Sequence, residues 1–222
     1  MKRLAEARVL VVGVGGVGSW CAEALARTGV GKITLVDDDV VAESNVNRQC
    51  PATAKTVGRP KVEAMAERLR EINPGCQVES VLARYPSSSV SCLKSFALVV
   101  DAIDSVDCKA ELILGATEAG VPVVSSMGAA LRLDPTQVRV TRFEKVEGDG
   151  LARALRQRFR KLQRFPAAKF ACVWSSETPI FLNTEAQRHR DNVKGSVMPV
   201  TATFGMCLAG EAIRILTKGE KK

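Results

Sequence analysis

Histidine is nearly absent from this chain: His189 is the only one in 222 residues. Imidazole acid–base chemistry therefore has a single candidate, and a solvated loop is the favoured setting for it. Phe, Trp and Tyr together make up 5% of the residues. So few rings leave little for base stacking, and any nucleic-acid recognition would rest on phosphate and shape. The seven cysteines include no Cys-x-x-Cys pair, which argues against a paired-cysteine zinc site. Their odd number and the lack of a signal-peptide pattern point to a reducing, cytoplasmic setting, with mitochondrial association if the source is eukaryotic. Cys21 and Cys207 fall in helical patterns and read as core; packing is also the favoured role of Cys172. Val197 to Leu216 is the longest apolar stretch, but Glu211, Arg214 and two glycines interrupt it. It reads as a core helix with a face available to a dimer, and no stable membrane insertion is expected. Thr201 and Thr203 near its start could face a substrate. No repeat or low-complexity tract is visible.

What the chain does have is a hydrophobic content of 46%, enough for a sizeable core, and alternating strand and helix patterns. Short apolar runs near Val9, Ile33, Val78, Leu98 and Val123 read as strands separated by helices. Val138 to Phe143 reads as a later strand of the other half of the sheet. The length fits one domain over residues 1–222, with a basic helical insert near 149–165.

The run Val9-Leu10-Val11-Val12 leads into Gly13-Val14-Gly15-Gly16-Val17-Gly18, and a helical pattern follows. This is the glycine fingerprint of a nucleotide turn in its proper context. Gly13 permits the tight turn, Gly15 and Gly16 bring backbone to phosphate, and Gly18 lets the helix pack on the strand. The helix start presents N–H groups and the positive end of its dipole to the phosphates. Asp37 ends the second strand, where a carboxylate accepts from ribose hydroxyls; Asp39 follows within the same acidic turn. The expected architecture is an α/β, Rossmann-like doubly wound sheet, mostly parallel, with later antiparallel strands.

Ser44-Asn45-Val46-Asn47-Arg48-Gln49 separates ATP from a nicotinamide cofactor. A triphosphate calls for a cation just after the ribose-binding acid, and Arg48 offers a planar fork of donors. Asn45 can bond the nucleotide or cap its own segment. In Gly58-Arg59-Pro60-Lys61, Pro60 stands at a helix start and Lys61 can reach phosphate. A further strand ends in Asp101-Ala102-Ile103-Asp104-Ser105. Carboxylates at the carboxyl end of a parallel strand lie on the ligand crevice, and one or two of them beside phosphates suit Mg²⁺. Asp104 is the metal candidate, while Asp101 reads as a cap of the next helix. Arg48, Lys61 and Asp104 form the candidate catalytic set.

Net charge is +8, a balance common among polyanion binders. The cations concentrate in Leu151 to Phe165. Leu151, Leu155, Phe159 and Leu162 recur at helical spacing. Arg153, Arg156, Arg160, Lys161 and Arg164 are left as candidate contacts to RNA phosphates.

Taken in order, the glycine turn, the Ser44 to Gln49 motif, Gly58-Arg59-Pro60-Lys61 and Asp101 to Ser105 resemble the adenylating domain of the ubiquitin-activating-enzyme superfamily. Trp20 to Gly29, Asp134-Pro135-Thr136-Gln137, Cys172 to Glu177 and Val200 to Gly205 are similar to the branch that dehydrates threonylcarbamoyladenosine in tRNA. The match runs from about Ala7 to Ile215. The resemblance implies ATP and Mg²⁺ as cofactors, tRNA as partner and a homodimer. The implied reaction adenylates the threonyl carboxylate; a nitrogen or oxygen of the same modification then closes a ring and releases AMP. It puts Asp37 on the ribose, Asn45 and Arg48 on the nucleotide, Lys61 on the phosphates and Asp104 on Mg²⁺. In the superfamily an arginine ahead of the first strand reaches the partner subunit's ATP; Arg3 is the candidate here. Relatives in this branch carry a cysteine shortly before the last helix. His189-Arg190-Asp191-Asn192-Val193 has none, which leaves a sulfur-relay partner open.

The main alternative is an adenylating enzyme for a ubiquitin-like sulfur carrier, which shares the ATP motifs but commonly carries paired cysteines. A nicotinamide-dependent oxidoreductase would rest on the glycine turn and Asp37 alone. A non-catalytic nucleotide binder is the fourth reading.

Overall fold

The computed structural model describes residues 2–90, 92–180 and 195–218. Seven strands form one sheet: β1 Arg8–Val12, β2 Lys32–Asp37, β3 Gln77–Leu82, β4 Leu98–Asp101, β5 Val123–Ser126, β6 Val138–Arg142 and β7 Ala171–Ser175. Their order is β3-β2-β1-β4-β5-β7-β6. β7 lies parallel to β5, with Ser125 opposite Cys172, and only β6 runs antiparallel. The sheet is thus Rossmann-like and doubly wound, with its strand order reversing between β1 and β4. A single late strand is antiparallel, fewer than expected.

Side-chain alternation along the strands sorts the core onto two faces. Val9, Val11, Ile33, Leu35 and Val100 point to one face, beneath α1 (Lys2–Glu6), α2 (Gly18–Arg27), α3 (Lys61–Ile72) and α6 (Met198–Thr217). Leu10, Val12, Val36 and Val99 point to the other, beneath α4 (Val106–Glu118) and α5 (Gly150–Leu162). The central strands are buried on both faces, so they read as continuous apolar runs.

Among the described residues α6 alone has the length and apolar composition of a membrane span. Its inner side, Val200, Phe204, Leu208 and Ala212, is nonetheless buried in the core. Gly205 lets it approach α2 closely: a Cβ there would stand 2.7 Å from both Trp20 Cβ and the Val17 carbonyl oxygen. This is a core helix, with Met198 and Met206 exposed on its outer side.

Asp101 is not a helix cap. Ser105 holds the position before α4, and Asp101 is fully buried at the end of β4. Its Oδ2 accepts from Lys109 Nζ at 2.7 Å and from Ser125 Oγ at 2.6 Å; its Oδ1 accepts from the Ile103 amide at 3.2 Å. Lys109 is also fully buried. Local spacing could not show this, because the partners come from α4 and β5. Removing one member of a buried pair leaves an uncompensated charge. Lys109→Ala is therefore expected to lower unfolding free energy by about 3–5 kcal/mol in urea titration. Combining Lys109→Met with Asp101→Asn, which leaves no charge behind, should recover much of that loss.

Candidate nucleotide and acyl-transfer site

The carboxyl ends of β1, β2 and β4 open into a cleft of about 1070 Å³. Gly13, Gly15, Gly16, Asp37, Asp39, Asn45, Arg48, Lys61 and Asp104 all line it, so strand topology brings together motifs spread over 90 residues of sequence. Gly18 lies just behind, where a Cβ would come within 1.8 Å of the Gly13 carbonyl oxygen.

The turn is built by close backbone approach. Gly13 has φ +89°, and a Cβ on it would meet the Ala102 carbonyl oxygen at 2.6 Å. Asp37 fixes the same turn, its Oδ2 accepting from the Val14 amide at 2.6 Å and its Oδ1 from the Asp39 amide at 2.9 Å. Burial pushes the Asp37 carboxyl above its ordinary range, against the opposing pull of the Val14 hydrogen bond and of Lys61. Each of its oxygens keeps a second lone pair for a ribose hydroxyl.

Lys61 opens α3 and is buried, with Nζ 2.6 Å from Asp39 Oδ2. Asp39 thereby holds the lysine at the cleft wall. Arg48 donates through Nη1 to the Ser44 carbonyl at 2.8 Å and to Asn47 Oδ1 at 2.9 Å. Its stem lies over Gly16, where an added Cβ would stand 3.3 Å from Arg48 Cγ. Asn45 caps its own short turn, Oδ1 accepting from the Ala42 amide at 3.1 Å. Asp104 is exposed in the cleft. The carboxylates of Asp37, Asp38 and Asp39 can bring one oxygen each within 4.8 Å of one another. These are all oxygen donors, the ligand type a hard cation such as Mg²⁺ takes.

Apart from Thr201, the far wall was not read from the sequence. It is made by Met127 to Arg132, the start of α5, Ser196 and Thr201. Arg132 is buried, with Nη2 3.1 Å from Asp149 Oδ2, and its Nη1 donates to the Glu177 carbonyl. Asp149 caps α5 by accepting from the Ala152 amide at 2.8 Å and also accepts from the Gly128 amide at 3.2 Å. Leu131 next to it holds a left-handed φ of 62°. Asp-Gly before an amphipathic run was a legible cap signal. Nothing local marked Arg132, whose carboxylate partner lies 17 residues on. Gln49 was also missed as an individual residue; it lines the cleft and is 6% exposed.

The remaining expected positions divide. Thr201 lines the cleft, whereas Thr203 bonds back to the Pro199 carbonyl at 2.7 Å. Arg3 donates to the Thr217 carbonyl at the end of α6. His189 to Val193 lie outside the described residues. On α5, Arg153, Arg160 and Lys161 are exposed and have no ion pair among the described residues. Arg156 donates to the Phe143 and Val146 carbonyls and lies 4.9 Å over the Phe143 ring. Arg164 pairs with Glu111 and Glu118.

Burial makes Cys172 and Cys50 poor nucleophiles. Cys172 is fully buried, which pushes its thiol far up. Burial and the neighbouring Glu23 raise Cys50 to about 12. A site with these groups can bind a triphosphate, neutralise charge on it and orient a carboxylate.

The chain belongs to the ThiF family, whose model matches residues 1–222. Within it, the chain is similar over nearly its whole length to tRNA threonylcarbamoyladenosine dehydratases. The Escherichia coli enzyme of that name is 39% identical over 96% of this chain and 87% of its own length. Its crystal structure in complex with AMP superposes with a TM-score of 0.85 at 39% identity, covering 97% of this chain and 88% of that one. Its complex with ATP gives 0.83 at 38% identity, covering 97% and 87%. The Salmonella typhimurium molybdopterin-synthase adenylyltransferase is 40% identical, but over only 70% of this chain and 61% of its own. Extent, not local identity, separates the two groups.

Glu23 on α2 braces the segment that carries Arg48. Its carboxylate accepts from Arg68 at 2.6 Å, Arg27 at 2.8 Å and the Cys50 thiol at 2.8 Å. Burial pushes its pKa up, but the bonds from Arg68, Cys50 and Arg27 outweigh it and hold the group at about 2. A depressed carboxyl stabilises the fold above its ordinary pKa, and that contribution is lost as pH falls from about 4.5 to about 2. Glu23→Gln is expected to cost roughly 2–3 kcal/mol at neutral pH. Urea midpoints followed through this acid range should fall more steeply for the wild type than for the variant.

Proposed function

We propose that this chain is an ATP-dependent dehydratase of threonylcarbamoyladenosine in tRNA. One observation carries the reading: Arg48, Lys61, Asp104 and the glycine turn converge on one cleft, in a chain similar over nearly its whole length to dehydratases of that name, one of them seen with ATP and with AMP.

The chemistry needs positioning and charge stabilisation. The threonyl carboxylate attacks the α-phosphorus of ATP, and pyrophosphate leaves with the electron pair of the broken bond. A nitrogen or oxygen of the same modification then attacks the acyl carbon, loses its proton and expels AMP, closing a ring. The balance is the loss of one water, driven by ATP. The amides of the glycine turn hold phosphate oxygens; Arg48 and Lys61 offset the charge that grows on them; Asp37 accepts from ribose. Mg²⁺ would be held by Asp104 beside the phosphates, where it would add charge neutralisation. No protein nucleophile is required.

The start of α5 forms part of the cleft wall through Gly150, Leu151 and Ala154. RNA entering the cleft would pass the exposed Arg153, Arg160 and Lys161, which we assign as phosphate contacts. Arg156 and Arg164 support them by holding the helix in place. Met198 and Met206, exposed on α6, support a homodimer through that face.

The test is AMP release from ATP and Mg²⁺, with tRNA that carries or lacks the modification, together with mass analysis of the digested nucleoside. AMP release and loss of one water are expected only with the modified tRNA. AMP release driven by a small carrier protein instead would defeat the proposal. Arg48→Ala should lower kcat/KM by the equivalent of about 2–4 kcal/mol, by analogy with other charge-stabilising donors. Unchanged turnover would remove Arg48 from the site.

A further inference from the structure

Gln49 lines the cleft and holds an amide oxygen that the described residues leave unsatisfied. Its side chain is buried, yet Oε1 has no hydrogen-bond partner among the described residues. Such a group is disfavoured in a fold unless something else explains it.

The position is not a chance of a loose loop. The Arg48 carbonyl accepts from Trp20 Nε1 at 2.9 Å, the Gln49 amide donates to the Asn45 carbonyl at 2.9 Å, and the Cys50 amide donates to Ser19 Oγ at 3.1 Å. The backbone on both sides is therefore pinned to α2 and to the motif's own turn. The side chain is directed at the glycine turn, with Nε2 3.9 Å from where a Cβ on Gly15 would stand. It also neighbours Arg48 in sequence.

The chemistry of the orphan atom narrows its partner. A carboxamide oxygen only accepts, so it needs a donor. The phosphates of ATP at neutral pH offer none, and its ribose hydroxyls are assigned to Asp37. The carbamoyl N–H groups and the threonyl hydroxyl of the modified nucleoside do. We propose that Gln49 is a substrate-specificity residue whose carboxamide oxygen accepts from an N–H or O–H of the acyl substrate. Rotation of the terminal amide, a broad torsion, brings the oxygen to the substrate without moving the pinned backbone. This assignment rests on the dehydratase reading.

Gln49→Met keeps the shape and removes both polar ends. The expected result is a fall of about tenfold or more in kcat/KM for modified tRNA, the size of one lost hydrogen bond to a reacting group. KM for ATP should stay within about twofold, and Tm should hold or rise, because an unsatisfied acceptor has gone. A merely structural role gives the opposite: Tm falls and both substrates suffer together. Gln49→Glu is the second variant; it keeps the acceptor but adds a charge beside the phosphates, so KM for ATP should rise. A Gln49→Met enzyme as active on modified tRNA as an active wild type overturns this proposal alone. A wild type that releases no AMP overturns the dehydratase reading and this proposal with it.

Discussion

The contact on which the site depends is the approach of Gly13 to the turn after β4. With φ +89° and only 2.6 Å between a Cβ position on Gly13 and the Ala102 carbonyl oxygen, the two backbones touch with no room for a side chain. The Ala102 amide donates to the Val12 carbonyl at 2.8 Å, and beneath it Asp101 binds Lys109, Ser125 and the Ile103 amide. Phosphate turn and metal candidate are thus fixed to each other through main chain. Moving one displaces the other, which is what a reaction needing sub-ångström alignment of acyl oxygen and phosphorus requires. A buried ion pair is weak grounds for stability. Placed here, it makes the loop before Asp104 rigid.

The cleft is organised so that charge is offset before substrate arrives. Lys61 is held against Asp39 and Arg48 against two carbonyl-type oxygens. Both cations are therefore held in place, and on the proposed reading little reorganisation would remain for a bound phosphate. The opposing wall is equally constrained: Arg132 and Asp149 are buried together, and Leu131 next to Arg132 is kept left-handed. Backbone strain of this kind persists only where its surroundings enforce it. Both sides of the cleft are stiff, so specificity can rest on single polar atoms such as the Gln49 oxygen.

The sequence made the nucleotide half of this site legible because its signals are local. A glycine turn between strand and helix, an acid at the end of the next strand and a proline before Lys61 each declare their geometry within a few residues. Six of the seven strands lie in or beside stretches whose apolar pattern marks them; β7 entered only through the likeness of Cys172 to Glu177 to the family. What stayed hidden depends on partners remote in sequence. Asp101 looked like a cap because a carboxylate before a helix is a cap far more often than half of a buried pair. Lys109 carried no local mark of burial. Arg132 carried no pattern at all, and the parallel pairing of β7 with β5 is a property of the crossover, not of Ala171 to Ser175. Gln49 was visible as a letter of a motif, but its unsatisfied oxygen is a property of packing.

The same distinction governs the basic helix. Read along the chain, its cations are equivalent. In the fold, α4 faces α5 and supplies Asp107 to Arg158 and Glu111 and Glu118 to Arg164, while Phe143 and two carbonyls take Arg156. Acids on a neighbouring helix thus divide a run of charge into fastenings and free cations. Arg153 and Arg160 are among the free ones, seven residues apart and so on one stripe of the helix, separated by roughly 10 Å along its axis. That separation exceeds the spacing of phosphates along a strand, so each can meet a different one. Because α5 begins in the cleft wall, this stripe has a direction as well as a charge. It leads from the far end of the helix to the place where ATP and the modified base would meet, and a net charge of +8 by itself could not have shown that.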